Sequence, residues 1–261
     1  MSNDTSYNNP PGTRTLLELS RAEGILRVCE NETHRWLEFG TPFTQSLMCR
    51  ADPARLELEY APGMALAYAF NPEAKRLLNF GAGCGTFERF FAAHFPGLQI
   101  ESVEAEPALI NIAKEYFYLP PHQEIQLGSA QSYLDNVDSS ADIVLCDLHN
   151  GDKNPSFLID PSFYQEVKQC MNDGAVLALN LLPTDEHDLM EVRLAVQSVF
   201  KWQYLLQFND ISNVMLFAFP QQPLKKAEVR TNAALLSAVS EVNFEALADR
   251  LKMLPQLPQS W

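Results

Sequence analysis

The stretch RLLNFGAGCGT, residues 76–86, decides the fold. An apolar run gives way to glycines at alternate positions, Gly81, Gly83 and Gly85, and an apolar-periodic segment follows at 87–95. This order predicts a strand, a tight turn and a helix. Because glycine adopts positive φ angles and lets a ligand approach the backbone closely, we expect these three glycines to contact a bound ligand.

An acidic residue, Glu104, ends the next predicted strand, roughly twenty residues beyond the start of the turn. A carboxylate at this spacing can accept hydrogen bonds from both hydroxyl groups of a ribose. The alternative is an acid that only meets solvent at the end of a strand. The glycine turn and Glu104 together favour a nucleoside-cofactor site.

The composition is that of a folded protein with an acidic surface. The 261 residues are 46% hydrophobic and 20% charged, and the formal net charge is -14. A phosphate-binding surface needs clustered Lys and Arg, so nucleic acid is not an expected partner. A small amine or a neutral metabolite suits this charge better.

Targeting and metal-binding patterns are not expected from this sequence. The first residues have no basic region followed by an apolar core, so we expect a cytoplasmic protein that does not enter a membrane. The five cysteines show no paired C-x-x-C spacing, and the histidines at 34, 94, 122 and 187 show no ligand spacing. We therefore predict neither a disulfide framework nor a metal site.

The chain divides into four predicted parts. They are a disordered leader at 1–15, an N-terminal β-hairpin region at 16–55, a nucleoside-binding transferase domain at 56–222 and a C-terminal helical extension at 223–261. Short strands are predicted at 25–29, 35–40 and 43–48, and helical segments at 56–60, 64–70, 230–240 and 243–254. The extension is expected to dock on the sheet or on a partner chain.

Strands and helices alternate through the central part. Strands are predicted at 76–80, 100–104, 124–127, 142–147, 175–181, 202–208 and 213–219, with helices between most of them and a turn at 173–174. The last two strands pair as a hairpin. This order predicts an α/β fold, a doubly wound and mostly parallel seven-stranded sheet, with a small antiparallel β appendage before it.

Strand ends are where an open parallel sheet binds its ligand. Asp147 ends the most apolar strand, where it can orient or deprotonate an amine nucleophile; a helix-cap or loop acid is an equal alternative. His149 and Asp152 follow in the same loop as weaker candidates. Ser129 or Gln131 can bond an adenine edge, and an N-cap role for Ser129 is an equal alternative.

With these residues in place, the chain from 25 to 219 resembles the spermidine synthase-like family. These are polyamine aminopropyltransferases built on the class I methyltransferase fold, which is Rossmann-like. The matching blocks are Gln45 in the hairpin lead-in, Tyr60 and Met64, and the segments 81–86, 103–107, 113–117, 142–147 and 163–168.

The resemblance implies a set of roles. The co-substrate is decarboxylated S-adenosylmethionine and the partner a small amine such as putrescine. Cofactor-binding roles fall on Gln45, Gly81, Gly83, Gly85, Glu104 and Ser129, substrate-binding roles on Tyr60 and His149, and catalysis on Asp147. A homodimer is a further expectation.

Four positions depart from the family pattern. Cys84 and Ser129 stand where members usually carry Asp, Asn150 stands where a second Asp follows the catalytic one, and the Tyr-His-Glu-Met run is replaced at 60–64 by YAPGM. Each lost carboxylate removes a partner for a desolvated ammonium. Two alternatives therefore stay open: a methyltransferase that uses S-adenosylmethionine, and a non-catalytic paralogue that acts by binding or regulation.

Overall fold

A small antiparallel sheet stands at the start of the described chain. The computed structural model describes residues 10–21, 24–135, 140–149 and 153–256. Its first sheet has the order β1-β2-β3-β4, formed by Arg14–Arg21, Gly24–Glu30, His34–Phe39 and Thr41–Cys49. The predicted β appendage is confirmed, with one more strand than the pattern indicated. The expected leader overlaps β1 at its end, and residues 1–9 lie outside the described chain.

The second sheet carries the main fold. In the described residues its order is β12-β10-β11-β9-β8-β5-β6-β7. The strands are β5 Arg76–Phe80, β6 Gln99–Glu104, β7 Ile125–Leu127, β8 Ala141–Cys146, β9 Met171–Leu181, β10 Trp202–Gln207, β11 Val214–Phe219 and β12 Lys252–Met253. Strands β5 to β9 pair in parallel, whereas β10, β11 and β12 join antiparallel. The predicted doubly wound, mostly parallel sheet is therefore confirmed.

The sheet has eight described strands rather than the predicted seven. The extra strand, β12, lies inside the segment 243–254 that the sequence pattern assigned to a helix. That helix ends at Arg250, and the chain then pairs with β10. The predicted turn at 173–174 is also wrong, because Gly174 lies within β9 at φ +77° where the β8–β9 register shifts. A bulge in one continuous strand explains both the glycine and the shift.

Helices connect the strands. They are α1 Ala61–Ala65, α2 Ala67–Phe70, α3 Thr86–His94, α4 Pro107–Tyr116, α5 Ala130–Leu134, α6 Pro161–Gln169, α7 Glu186–Val199, α8 Lys226–Ser237 and α9 Phe244–Arg250. The helix predicted at 56–60 is wrong, since this segment is irregular and helix begins only at Ala61. Pro62 explains the position, because proline fits the first helical turn, where its missing N–H costs nothing.

Successive side chains along each strand point to opposite faces of the sheet, and both faces are covered. Leu77, Ile143 and Leu145 belong to one buried cluster, and Leu78 and Val144 belong to the other. Helices α1, α2, α3, α8 and α9 contribute to the first cluster, and α6 and α7 to the second. The C-terminal helices therefore dock on the sheet. None of the helices in the described part of the chain has the length and apolar composition that crossing a bilayer requires.

Candidate active site

The glycine turn joins β5 to α3 and touches the end of β8. Gly81, Gly83 and Gly85 have φ angles of +87°, +53° and +77°, which favour glycine over residues with a side chain. A Cβ atom at Gly81 would stand 2.2 Å from the carbonyl oxygen of Asp147. The backbone N–H of Asp147 donates to the Phe80 carbonyl at 2.9 Å, so the turn and the β8 end are held together.

Glu104 ends β6 and points its carboxylate at the same turn. Its Oε2 accepts the backbone N–H of Gly83 at 2.9 Å, and its Oε1 accepts that of Glu106 at 2.9 Å. The side chain is buried, and this burial raises the pKa of the carboxyl, while the backbone N–H groups of Glu106 and Gly83 act in the opposite direction. The acid and the turn thus form one hydrogen-bonded unit.

Asp147 lies at the centre of a polar cluster at the end of β8. The Tyr60 hydroxyl donates to Oδ2 at 2.8 Å, and the Asn180 amide donates to Oδ1 at 2.8 Å. The Nδ1 atom of His149 lies 3.4 Å from Oδ1. Asn213 donates in turn to the side-chain oxygen of Asn180 at 2.8 Å. The carboxylate is therefore held in one orientation from both sides.

Tyr60 serves this cluster as a donor. Burial and the neighbouring negative charge of Asp147 raise its pKa well above the usual value for tyrosine, so the hydroxyl keeps its proton. The residue immediately precedes α1, whose residues are all buried. Packing of this short helix therefore fixes the position of the donor.

The arrangement leaves Asp147 able to take a proton. An ionised carboxylate offers about four lone-pair sites. Tyr60 and Asn180 occupy one site on each oxygen, and the side chain is 10% exposed. The remaining sites can accept a hydrogen bond or a proton from an amine that enters beside the turn.

Two of the residues predicted to contact the cofactor, Ser129 and Gln45, are exposed to solvent. Ser129 is exposed and is the N-cap of α5, where its Oγ accepts the backbone N–H of Ser132 at 3.1 Å. The N-cap alternative is thus confirmed, and Gly128 N–H, which donates to the Glu104 carbonyl at 2.9 Å, places the segment next to β6. Gln45 lies exposed on β4. Its cofactor contact stays a prediction.

The neighbour of Gln45, Ser46, reaches the glycine turn. Ser46 is buried and hydrogen-bonds the thiol of Cys84. Burial raises the pKa of Cys84 to about 12, so this position is neutral where the family pattern has a carboxylate. The N-terminal sheet therefore contributes to the site through β4.

Two buried residues of α3, Glu88 and Arg89, hold the glycine turn in place. Glu88 Oε1 accepts the Asn79 amide at 2.7 Å and the Ser102 hydroxyl at 2.6 Å. The Arg89 guanidinium donates to the carbonyls of Cys84 at 2.5 Å and Pro53 at 2.7 Å. These bonds tie the turn to β5, β6 and the segment before Tyr60.

Asn180, Asn213, Ser46 and Glu88 were not identified from the sequence. Asn180 could have been identified, because it is a polar residue inside the apolar run AVLALNL. Glu88 sits on an apolar-periodic helix, where an acid is ordinarily assigned to the solvent face. Asp152 and Asn150, which sequence analysis also considered, lie outside the described residues.

The sequence is similar to those of known proteins over most of its length. No protein-family model matches it. It is 27% identical over 237 residues to a polyamine aminopropyltransferase of Chromobacterium violaceum, covering 88% of this chain and 90% of the relative. It is 25% identical over 235 residues to the Vibrio vulnificus polyamine aminopropyltransferase, covering 84% of this chain and 79% of the relative.

Solved structures share the fold. A probable spermidine synthase from Corynebacterium glutamicum superposes with a TM-score of 0.74 at 16% identity, over 92% of this chain and 89% of that one. Human methyltransferase-like protein 13, in complex with SAH, gives a TM-score of 0.61 at 24% identity, over 70% of this chain and 92% of that one. The chain therefore has the class I methyltransferase fold and is similar in sequence to polyamine aminopropyltransferases.

Proposed function

We propose that this protein is an aminopropyltransferase that moves an aminopropyl group from decarboxylated S-adenosylmethionine to an amine such as putrescine. The observation that carries the proposal is the Asp147 carboxylate, held by Tyr60 and Asn180 at the end of β8, where the Asp147 backbone lies against the glycine turn. Curated relatives named polyamine aminopropyltransferase support the same reaction class.

The adenosyl co-substrate would be held by the glycine turn and Glu104. A Cβ atom at Gly83 would meet only Ser46 Oγ, at 3.9 Å, so the backbone is open to a ligand there, and Glu104 is a buried acceptor at the end of β6. Backbone N–H groups use one bond on each Glu104 oxygen, so further lone pairs are available to sugar hydroxyls. Gly81, Gly85, Gln45 and Ser129 are proposed as the remaining contacts.

The reaction is a displacement at the carbon beside a sulfonium. The amine nitrogen forms the new C–N bond, the C–S bond breaks with its electron pair going to sulfur, and methylthioadenosine leaves. The attacking nitrogen loses one proton. Asp147 accepts that proton and orients the amine, while Tyr60 keeps the carboxylate in place and His149 lines the amine side.

Formation of methylthioadenosine tests the proposal. Purified protein is incubated with putrescine and the decarboxylated co-substrate, beside a known aminopropyltransferase as a positive control. We expect product from this protein and none from an Asp147→Asn variant that still binds the nucleoside. No product from the unmodified protein, with the control active, contradicts the proposal.

A methyltransferase activity is the second candidate. The neutral thiol of Cys84 favours it, because an Asp at this position would repel the carboxylate of ordinary S-adenosylmethionine. Calorimetry with the two co-substrates separates the candidates: tighter binding of the carboxylated form supports methyl transfer, and tighter binding of the decarboxylated form supports aminopropyl transfer. If neither raises the melting temperature, a non-catalytic binding role is favoured.

A further inference from the structure

Three potential metal ligands meet outside the proposed reaction site. His34 begins β3 and Cys49 ends β4, and the two residues are cross-strand partners. Glu57 reaches them from the irregular segment that leads to Tyr60. One ligand atom from each residue lies within 4.8 Å of the other two, and His34 Nε2 is 3.5 Å from Glu57 Oε2.

Hydrogen bonds hold His34 through the ring nitrogen that does not face Glu57. Asn31 Oδ1 accepts the backbone N–H groups of Thr33 at 3.0 Å and His34 at 2.8 Å, so this atom is an acceptor. The Thr33 hydroxyl lies 3.1 Å from the same oxygen and 2.9 Å from His34 Nδ1. When the hydroxyl proton is directed at Asn31, the hydroxyl oxygen accepts from Nδ1–H, and Nε2 is then the ring atom with the lone pair.

In that tautomer Nε2 faces a carboxylate oxygen of Glu57 at 3.5 Å. A cation between the two atoms would be bound by a lone pair from each. The half-buried positions, with the side chains of His34 and Glu57 exposed by 22% and 12%, limit screening by water. The juxtaposition therefore suits a bound cation at this point.

We propose that His34 Nε2, Cys49 Sγ and Glu57 Oε2 bind a zinc-class divalent cation. Nitrogen, thiolate sulfur and carboxylate oxygen are the ligands that Zn²⁺ takes, at about 2.0–2.3 Å. Such bonds place neighbouring ligand atoms roughly 3.3–3.7 Å apart. The His34–Glu57 distance of 3.5 Å already fits, and Cys49 Sγ lies within 4.8 Å of both atoms. A thiolate and a carboxylate together balance the charge of the ion.

The surroundings orient the ligands as metal sites require. The Thr33 hydroxyl holds His34 through the opposite ring nitrogen, which is the usual outer-shell device for a metal-bound histidine. Arg55 Nε lies 2.9 Å from the other carboxylate oxygen, Glu57 Oε1, and leaves Oε2 directed at His34. Since Glu57 precedes Tyr60 by three residues, the ion would fasten this segment to the N-terminal sheet.

Cobalt spectroscopy tests the site. The chelator-treated full chain is titrated with Co²⁺, and we expect one equivalent to bind with a thiolate-to-cobalt charge-transfer band that Zn²⁺ removes. Cys49→Ser should abolish the band, and His34→Gln and Glu57→Gln should weaken Co²⁺ binding tenfold or more. His187→Gln is the matched control, because His187 lies 3.6 Å from Glu191 on an exposed helix surface and should change nothing.

Alkylation of the unmodified protein gives a second measurement that needs no variant. Cys49 is half-exposed, whereas the cysteines at 29, 84, 146 and 170 are buried. Zn²⁺ should slow the modification of Cys49 by iodoacetamide, as followed by peptide mass spectrometry. An unchanged rate, or a cobalt spectrum without a thiolate band, overturns the proposal and leaves His34 paired with Glu57. The result does not depend on the proposed transferase activity.

Discussion

Tyr60 supports Asp147 directly, through a hydrogen bond from its hydroxyl group. A hydrogen bond to a charged group contributes about 1.5–3 kcal/mol. Tyr60→Phe removes this donor from Oδ2 and keeps the ring that packs before α1. We expect turnover to fall about tenfold or more, with nucleoside affinity unchanged, because the carboxylate loses its orientation.

Steady-state kinetics and calorimetry measure the two quantities. Tyr118→Phe is the control, since Tyr118 is 50% exposed and its ring position relative to Arg35 does not need the hydroxyl. A Tyr60→Phe variant with normal turnover would show that the hydrogen bond does not serve the reaction.

The proposed contact between Glu104 and the nucleoside predicts that binding depends on pH. Only the ionised carboxylate can both hold the Gly83 N–H and accept sugar hydroxyls at full strength. Because burial raises its pKa, protonation begins at a higher pH than for an ordinary glutamate. Affinity should therefore be greatest above the raised pKa and should fall as the pH falls through it.

Calorimetric titrations from neutral to acidic pH measure this fall. The free protein behaves oppositely, because a raised carboxyl pKa makes the folded state more stable as the pH decreases through that window. Glu104→Gln should bind the nucleoside weakly and without this pH dependence. An affinity that does not change with pH in the unmodified protein contradicts the assignment.

Sequence analysis located the candidate side chains at strand ends, but it missed those whose contacts depend on strand pairing. Asp147 and Glu104 follow apolar runs, so their position at the carboxyl edge could be deduced from the pattern. Asn180 and Asn213 interact because β9 and β11 pair antiparallel in one particular register. That register depends on how the whole sheet packs, and the two amides are 33 positions apart in the sequence.

At the scale of elements, the turn after β5 depends on the absence of a side chain at Gly81. Gly81→Ala adds a Cβ atom 2.2 Å from the Asp147 carbonyl oxygen, at a φ of +87°. The turn and the end of β8 must separate to relieve this contact. We expect loss of activity together with a clear decrease in the melting temperature.

Gly174 provides a matched control for backbone strain. Its φ is +77°, but a Cβ atom there would meet nothing within 4 Å. Gly174→Ala should therefore carry only the conformational cost, and should keep its activity. Equal effects of the two substitutions would show that close approach to Asp147 is unimportant.

Folding buries the carboxyl group of Glu88 between α3 and the sheet, and this burial disfavours its ionised form. Burial raises the pKa of Glu88, and its Oε2 has no hydrogen-bond partner among the described residues. The folded state is therefore most stable when Glu88 is protonated, and it loses stability as the pH rises through the raised pKa. Glu88→Gln should flatten this dependence and keep or raise stability at neutral pH.

Urea denaturation across a pH series measures the effect. Glutamine retains the oxygen that accepts the bonds of Asn79 and Ser102, whereas Glu88→Ala leaves both donors without it. The alanine variant should lose about 1–3 kcal/mol for each buried donor left unsatisfied. A glutamine variant as unstable as the alanine variant contradicts the neutral-carboxyl interpretation.

Element boundaries show where sequence periodicity is insufficient. The apolar runs at 142–147 and 175–181 identified β8 and β9, because strands covered on both faces are apolar throughout. The segment before Tyr60 was misassigned, since Arg89 bonds to Pro53 and Glu57 faces His34, and both contacts are distant in sequence. Such contacts outweigh local helical preference.

At the scale of the whole molecule, the C-terminal segment shares its core with the sheet. Val229, Leu236 and Phe244 belong to the same buried cluster as Leu77 of β5 and Ile143 of β8. Arg193 of α7 also donates to the Pro255 carbonyl at 2.8 Å. We infer that the segment 223–256 folds together with the sheet, although composition alone favoured a separate extension.

Adjacent leucines on α8 test this inference. Leu236 is fully buried in the shared cluster, whereas Leu235 is 48% exposed. Leu236→Ala should lower the free energy of unfolding by about 2–5 kcal/mol, because it leaves a cavity in the shared core. Leu235→Ala makes the same change of side chain on the same helix and should stay within about 0.5 kcal/mol.

Chemical denaturation followed by two probes decides between one cooperative unit and two. Far-ultraviolet circular dichroism includes the signal of α8 and α9, and tryptophan fluorescence includes the signal of Trp36 and of Trp202 on β10. If the core is shared, Leu236→Ala shifts both transitions together, since the sheet loses packing when the helix does. A helical transition that moves alone, ahead of an unchanged fluorescence transition, would show that the C-terminal segment unfolds independently of the sheet.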